Sequence, residues 1–116
     1  MPGRESFPRR ERLQTEREFR EVFEHGRRAA GQAFICYVAE GQGRKMGMAV
    51  SRKVGNAVVR NRVKRYIREV YRHERAALRE EMRLVVVAKP AAAGLTYAES
   101  WEALRRLFRQ GGALGG

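Results

Sequence analysis

The residues of this chain whose types and spacing point to chemistry are cations. Ser51 to Arg72 reads SRKVGNAVVRNRVKRYIREVYR, where Arg52, Lys53, Arg60, Arg62, Lys64, Arg65, Arg68 and Arg72 meet one acid, Glu69. Eight minus one leaves seven of the chain's formal net charge of +12 in this stretch. Most of these residues are arginine, whose planar fork donates paired hydrogen bonds to phosphate oxygens and stacks on bases. A solvated helix face normally mixes signs. Like charges three and four residues apart repel, so the arrangement costs stability unless a polyanion faces it. Bond-breaking chemistry has no comparable signature. His25 and His73 are isolated, no Ser, His and Asp set suggests itself, and Glu80 and Glu81 beside Arg79 and Arg83 read as ion-paired surface. No carboxylates are placed to hold a nuclease metal pair, and zinc-ligand spacings are absent. The single cysteine, Cys36, lies in an apolar strand and reads as a small buried hydrophobe.

The cations need an element to present them. Asn56 can cap a helix, and from there the 3.6-residue period sets Val59, Val63, Tyr66, Ile67 and Val70 on an apolar stripe. Arg60, Lys64 and Arg68 form one opposing row, Asn61, Arg65, Arg68 and Arg72 the next, with Arg62 at the flank. Upstream, Thr15 and Glu18 form a capping box for a helix with Phe19, Val22 and Phe23 on one face, stopping near Gly26. Arg28 to Ala30 reads as a short edge strand. Ala33 to Ala39 is a second strand, and Lys45 to Ser51 follows at hairpin distance. In that third strand Gly47, Ala49 and Ser51 share a face, which leaves space for a ligand or for close helix packing. Downstream, charged helix continues to about Arg83, and Leu84 to Ala88 is a buried strand ending at Pro90. A helix between two strands suggests parallel pairing through a crossover, right-handed by the general rule. Thr96 and Glu99 open a last helix with Tyr97, Trp101, Leu104 and Phe108 on a core-type face. The order is αβββαβα, an α+β sandwich around one small mixed sheet.

Length sets the rest. At 116 residues, positions 1–116 read as a single domain with one core, and its charge makes it a candidate RNA-binding domain. Residues 1–11, with two prolines and a basic cluster, read as an extended arm that orders on RNA, and the glycine-rich 111–116 as a disordered tail. The longest aliphatic run, Leu84 to Val87, is far short of a membrane span, and the N-terminus lacks a signal peptide's apolar centre. The expectation is a cytoplasmic protein. A pI near 11.1 calls for an anionic partner, with nucleic acid the best candidate.

Residues 50–65, VSRKVGNAVVRNRVKR, resemble the signature of the bacterial ribonuclease P protein family, centred on Arg60-Asn61-Arg62. The resemblance extends through Arg12-Leu13, Glu18 to Phe23, Gly26, the strand at Tyr37, and Leu84 to Pro90. Arg52 stands where the family often has lysine, and Gln14 where a basic residue is common. The resemblance implies a ribosomal S5 domain 2-like fold with the rare left-handed crossover. It implies a protein that assists while a ribonuclease P RNA, with Mg²⁺, hydrolyses the 5′ leader from precursor tRNA, one protein per RNA subunit. It implies RNA-subunit binding by Arg52, Lys53, Arg60, Asn61, Arg62, Lys64, Arg65 and Arg68, and leader binding by Phe19, Phe23 and Tyr37. For those three aromatics core packing stands as the alternative, and Lys89, from its place just after the buried strand, is a candidate for a further phosphate contact. Three rivals remain. A structural ribosomal or general RNA-binding protein would not promote cleavage. A protein-only nuclease would need the missing active site. A helix-turn-helix protein would need a short turn between helices, where Arg52 to Gly55 instead links a strand to a helix.

Overall fold

The computed structural model describes residues 7–115. Its elements run α1 (Glu16–His25), β1 (Arg27–Ala30), β2 (Phe34–Ala39), β3 (Arg44–Val50), α2 (Ala57–Glu74), β4 (Met82–Ala88) and α3 (Tyr97–Gly111), with short 3₁₀ turns at Arg9–Glu11, Arg75–Ala77 and Pro90–Gly94. This is the expected αβββαβα order, and the sheet is mixed. Its strand order is β1-β2-β4-β3. β2 runs antiparallel to β1 and β4, and β3 runs parallel to β4 across the helical crossover. β2 and β3 therefore do not form the hairpin their spacing suggested. β4 inserts between them because Leu84, Val85 and Val86 are apolar on both pleat faces, and such a strand must be covered on both.

One face of the sheet packs Cys36, Met46, Leu84 and Val86 against Val63, Ile67, Val70 and Tyr71 of α2 and Leu104, Leu107 and Phe108 of α3. Each such side chain fully buried contributes roughly 1.5–3 kcal/mol. Burial alone pushes the Cys36 thiol up to about 12, which fits an inert core residue. The other face carries a smaller cluster of Leu13, Val22, Ala39 and Val85 beneath α1.

Three segments differ from expectation. The extended arm is packed where it is described: Phe7 meets Tyr71 edge-on at 5.4 Å, and Leu13 N–H donates to the Met46 carbonyl along the β3 edge. Glu11 is buried, accepting from the Tyr71 hydroxyl (2.5 Å) and pairing with Arg44 and Arg75. The tail is also packed. Gly112, at φ 80°, closes α3 in the left-handed conformation, Ala113 N–H returns to the Phe108 carbonyl, and Leu114 bridges to Leu78. Residues 1–6 and 116 of the expected arm and tail lie outside the described residues. Finally, α2 ends at Glu74 rather than near Arg83. Arg44 crosses from β3 to donate to the carbonyls of Arg75, Leu78 and Arg79, satisfying acceptors that a longer helix would have used internally.

Candidate nucleic-acid interface

On the sheet face under α1, a short helix leaves part of the floor open. Both halves of the capping box form: Thr15 Oγ1 accepts from Glu18 N–H at 3.1 Å, and Glu18 Oε1 accepts from Thr15 N–H at 3.0 Å. Glu18 also accepts the Gln14 amide (2.7 Å) and the Lys45 ammonium (3.2 Å). The Gln14 amide is the main reason its carboxyl falls to about 2, with the Thr15 amide and Lys45 adding to it. The helix so fixed lays Phe19 on Gly47, where a Cβ would meet Phe19 Cζ at 2.5 Å. Phe19 and Phe23 lie 6.5 Å apart, and Phe23 meets Tyr37 edge-on at 4.9 Å. Neither reading of these aromatics holds in pure form. Phe19 and Tyr37 pack on the small cluster but stay half-buried, and Phe23 is 41% exposed. One register step beyond Tyr37, Val85 and Gly47, the cross-strand row Ile35, Val87 and Ala49 is half-buried. The result is a shallow groove with an aromatic wall and an aliphatic floor of Ile35, Val87 and Ala49. Arg28, opposite Tyr37 in register, borders it.

The cationic helix occupies the other face of the sheet. Asn56 Oδ1 accepts from Val59 N–H at 3.0 Å, and the first turn carries no acid. Among the described residues, Arg52, Lys53, Arg60, Lys64 and Arg68 have no carboxylate within 4 Å. Arg52, Lys53, Asn61 and Arg65 are exposed, while Arg60, Lys64 and Arg68 are half-buried. Arg62 is different. Its guanidinium donates to the Ala93 carbonyl at 2.7 Å and ties α2 to the turn after β4. Arg72 is committed to Glu69 at 2.9 Å, and that bond lowers the Glu69 pKa. Lys89 donates to the Gly31 carbonyl at 3.2 Å, so its ammonium braces the β1–β2 turn. Because Val50 pairs with Ala88, the segments bearing Arg52, Lys53 and Lys89 leave the sheet at the same end, beside the open floor row.

Sequence reasoning brought the basic row and the aromatic trio to the page but missed two groupings. The buried Glu11, Tyr71, Arg44 and Arg75 cluster spans more than sixty positions, and no local pattern encodes it. Tyr66, Tyr97, Trp101 and His73 form a run of rings between α2 and α3. The one-sided placement of Tyr97 and Trp101 read as core, and both do pack against it while staying half-buried.

Known proteins share this arrangement. Residues 7–111 match the Ribonuclease P family. The ribonuclease P protein component of Dictyoglomus thermophilum is 40% identical over 113 residues, 94% of each chain. That of Bacillus pumilus is 38% identical over 105 residues, 88% of each. Among solved structures, the Staphylococcus aureus RNase P protein superposes with a TM-score of 0.85 at 24% identity, covering 90% of this chain and 98% of that one. The fold, the unpaired cations of α2 and these relatives agree: the chain belongs to the ribonuclease P protein family, the protein component of the endoribonuclease that matures tRNA 5′ ends together with an RNA subunit.

Proposed function

We propose that this protein works in that holoenzyme through two surfaces on opposite sides of its sheet. The exposed side of α2 and the segment before it, with Arg52, Lys53, Arg60, Asn61, Lys64, Arg65 and Arg68, neutralises phosphates of the RNA subunit. Arg62 supports this surface from its anchor on Ala93. The groove of Phe19, Phe23 and Tyr37 holds the single-stranded leader of precursor tRNA, since unpaired bases of any sequence stack on aromatic faces. The observation that carries the reading is the pairing of a cationic row without carboxylate partners on one face with a half-open aromatic groove on the other. Hydrolysis belongs to the RNA subunit with Mg²⁺, because the protein offers cations and rings rather than acids and bases. One protein per RNA subunit, acting in the cytoplasm, completes the proposal.

Reconstitution with ribonuclease P RNA tests it. The protein alone should leave precursor tRNA intact, and should stimulate cleavage most at low Mg²⁺, since protein cations and divalent ions relieve the same phosphate repulsion. Phe23→Ala should lower precursor affinity by about 1–3 kcal/mol and leave mature tRNA, which lacks a leader, unaffected. Equal losses for both substrates would remove the groove from the reading. Absence of any stimulation would favour the general RNA-binding alternative.

A further inference from the structure

Helices α2 and α3 meet in a seam on the side of the sheet away from α1, and the seam is lined with rings. Tyr66 and Tyr97 have centroids 5.4 Å apart, Tyr97 and Trp101 5.7 Å, and Trp101 and His73 4.8 Å with planes only 22° from parallel. A rim of ordinary core would close over such rings, yet Tyr66, Tyr97 and Trp101 are half-exposed and His73 is exposed. The indole is held firmly, its Nε1 donating to the buried Glu74 carboxylate at 3.0 Å. The Tyr97 hydroxyl is shielded from solvent with no partner.

Cations flank this seam. Trp101, Arg105 and Arg109 recur every four residues and so share one face of α3, where with Ala98, Glu102 and Arg106 they line a groove of about 520 Å³, Arg106 pairing with Glu102 at 3.8 Å. Arg105 reaches Glu74 at 3.4 Å while staying 57% exposed, and Arg109 has no carboxylate within 4 Å among the described residues. Two arginines four apart repel each other, which repeats on α3 the feature that marks α2. Arg65, 5.7 Å from the Tyr66 ring centre, links the cationic ridge of α2 to the seam.

We propose that this seam is a third contact surface, which takes an unpaired nucleotide of RNA with its base against the Trp101 ring, backed by His73, and its phosphates along Arg105 and Arg109. Rings beside guanidinium groups are what single strands bind. An acidic peptide would answer the charge but leave the rings unused, and a second copy carrying the same +12 would be repelled. The inference rests on the chain acting on RNA, and it needs neither the leader groove nor the α2 ridge to be assigned correctly.

Trp101 is the chain's only tryptophan, so its fluorescence reports on this surface. The full-length protein is titrated with a labelled ten-nucleotide single-stranded RNA, reading Trp101 emission and label anisotropy together over a range of salt. Stacking should quench Trp101 in step with the anisotropy. Arg105→Gln/Arg109→Gln should abolish most of the quench and reduce the log–log salt slope of binding by about 1.4, two single-strand phosphate contacts at about 0.7 each. Arg109→Gln alone, which leaves the Glu74 pair intact, should reduce it by about 0.7. The Lys variants at both positions should restore the slope. RNA bound at saturation without any quench would overturn the proposal. So would a quench that survives the Gln variants but disappears in Phe23→Ala, an outcome that places the strand in the α1 groove and leaves the two-surface reading standing.

Discussion

Gly47→Ala gives the sharpest separation of groove from scaffold. The new methyl would lie 2.5 and 2.6 Å from Phe19 Cζ and Cε1 and 3.1 Å from Leu13 Cδ1. Carbon atoms pack at about 3.5–4.0 Å, so the Phe19 ring must retreat by about 1 Å. Overpacking of this kind costs about 1–3 kcal/mol, and alanine's smaller unfolded-state entropy returns about 0.5–1 kcal/mol. The net destabilisation is therefore about 0–2.5 kcal/mol. The retreating ring should weaken one base stack, worth about 1–3 kcal/mol, so the ratio of precursor to mature tRNA affinity in the reconstituted holoenzyme should fall by between about fivefold and 150-fold. Affinity for the RNA subunit should hold. A double-mutant cycle with Phe19→Ala completes the assay. With the ring gone the methyl loses its two shortest contacts, so the two changes should couple by at least about 1 kcal/mol in both denaturant melts and precursor affinity. Additive effects, or equal losses for precursor and mature tRNA, would refute the view that Phe19 is positioned by the missing Cβ and faces the leader.

Two more outcomes follow from the hydrogen bonds of the two helices. Arg60→Ala should weaken RNA-subunit binding with little change in melting temperature, whereas Arg62→Ala should also lose about 1–2 kcal/mol of stability with its bond to Ala93; equal melting curves for the two variants would contradict the anchor. Glu18, lowered from 4.5 to about 2, stabilises the fold fully above its unfolded pKa and loses that contribution as pH falls from about 5 to 2. For this partly exposed carboxylate the contribution is about 1–2 kcal/mol after solvent screening. Urea midpoints of wild type and Glu18→Gln should therefore converge across that window, and parallel curves would show that the cap is not ionic.

Capping boxes and helical periodicity are local, and they read correctly: Thr15 with Glu18, Asn56 with Val59, and Thr96 with Glu99 all form as their spacing suggested. Strand pairing is not local. Alternation tells which residues share a pleat face but not which strand lies alongside, so β4 was legible as buried while its place between β2 and β3 was not. The ends failed for a related reason. Glu11 finds Tyr71 sixty positions away, and the glycines after α3 looked like disorder because Gly112 supplies a helix stop whose value depends on Ala113 and Leu114 having somewhere to pack. Within the interface, charge and ring type were readable, but the diversion of Arg62 to a backbone carbonyl was not, because its place at the flank of the helix does not reveal that the turn after β4 brings Ala93 beside it.

The central strand of the sheet is also its last in sequence, and that orders events during synthesis. Cys36 must wait for Val86 and Met46 for Leu84, so no strand pair beyond β1 with β2 can close until residue 88 has left the ribosome. Until then the strongly cationic α2 has already been made but lacks the β3–β4 part of the sheet to pack on. Pairings this distant in sequence close late and together. The groove floor, which includes Val85 and Val87, therefore appears only when β4 pairs, the step that also joins β3 to the sheet. A groove built by the first helix and the first three strands alone does not exist on this topology, so the proposed leader groove arrives only with the strand that also gives α2 its surface to pack on.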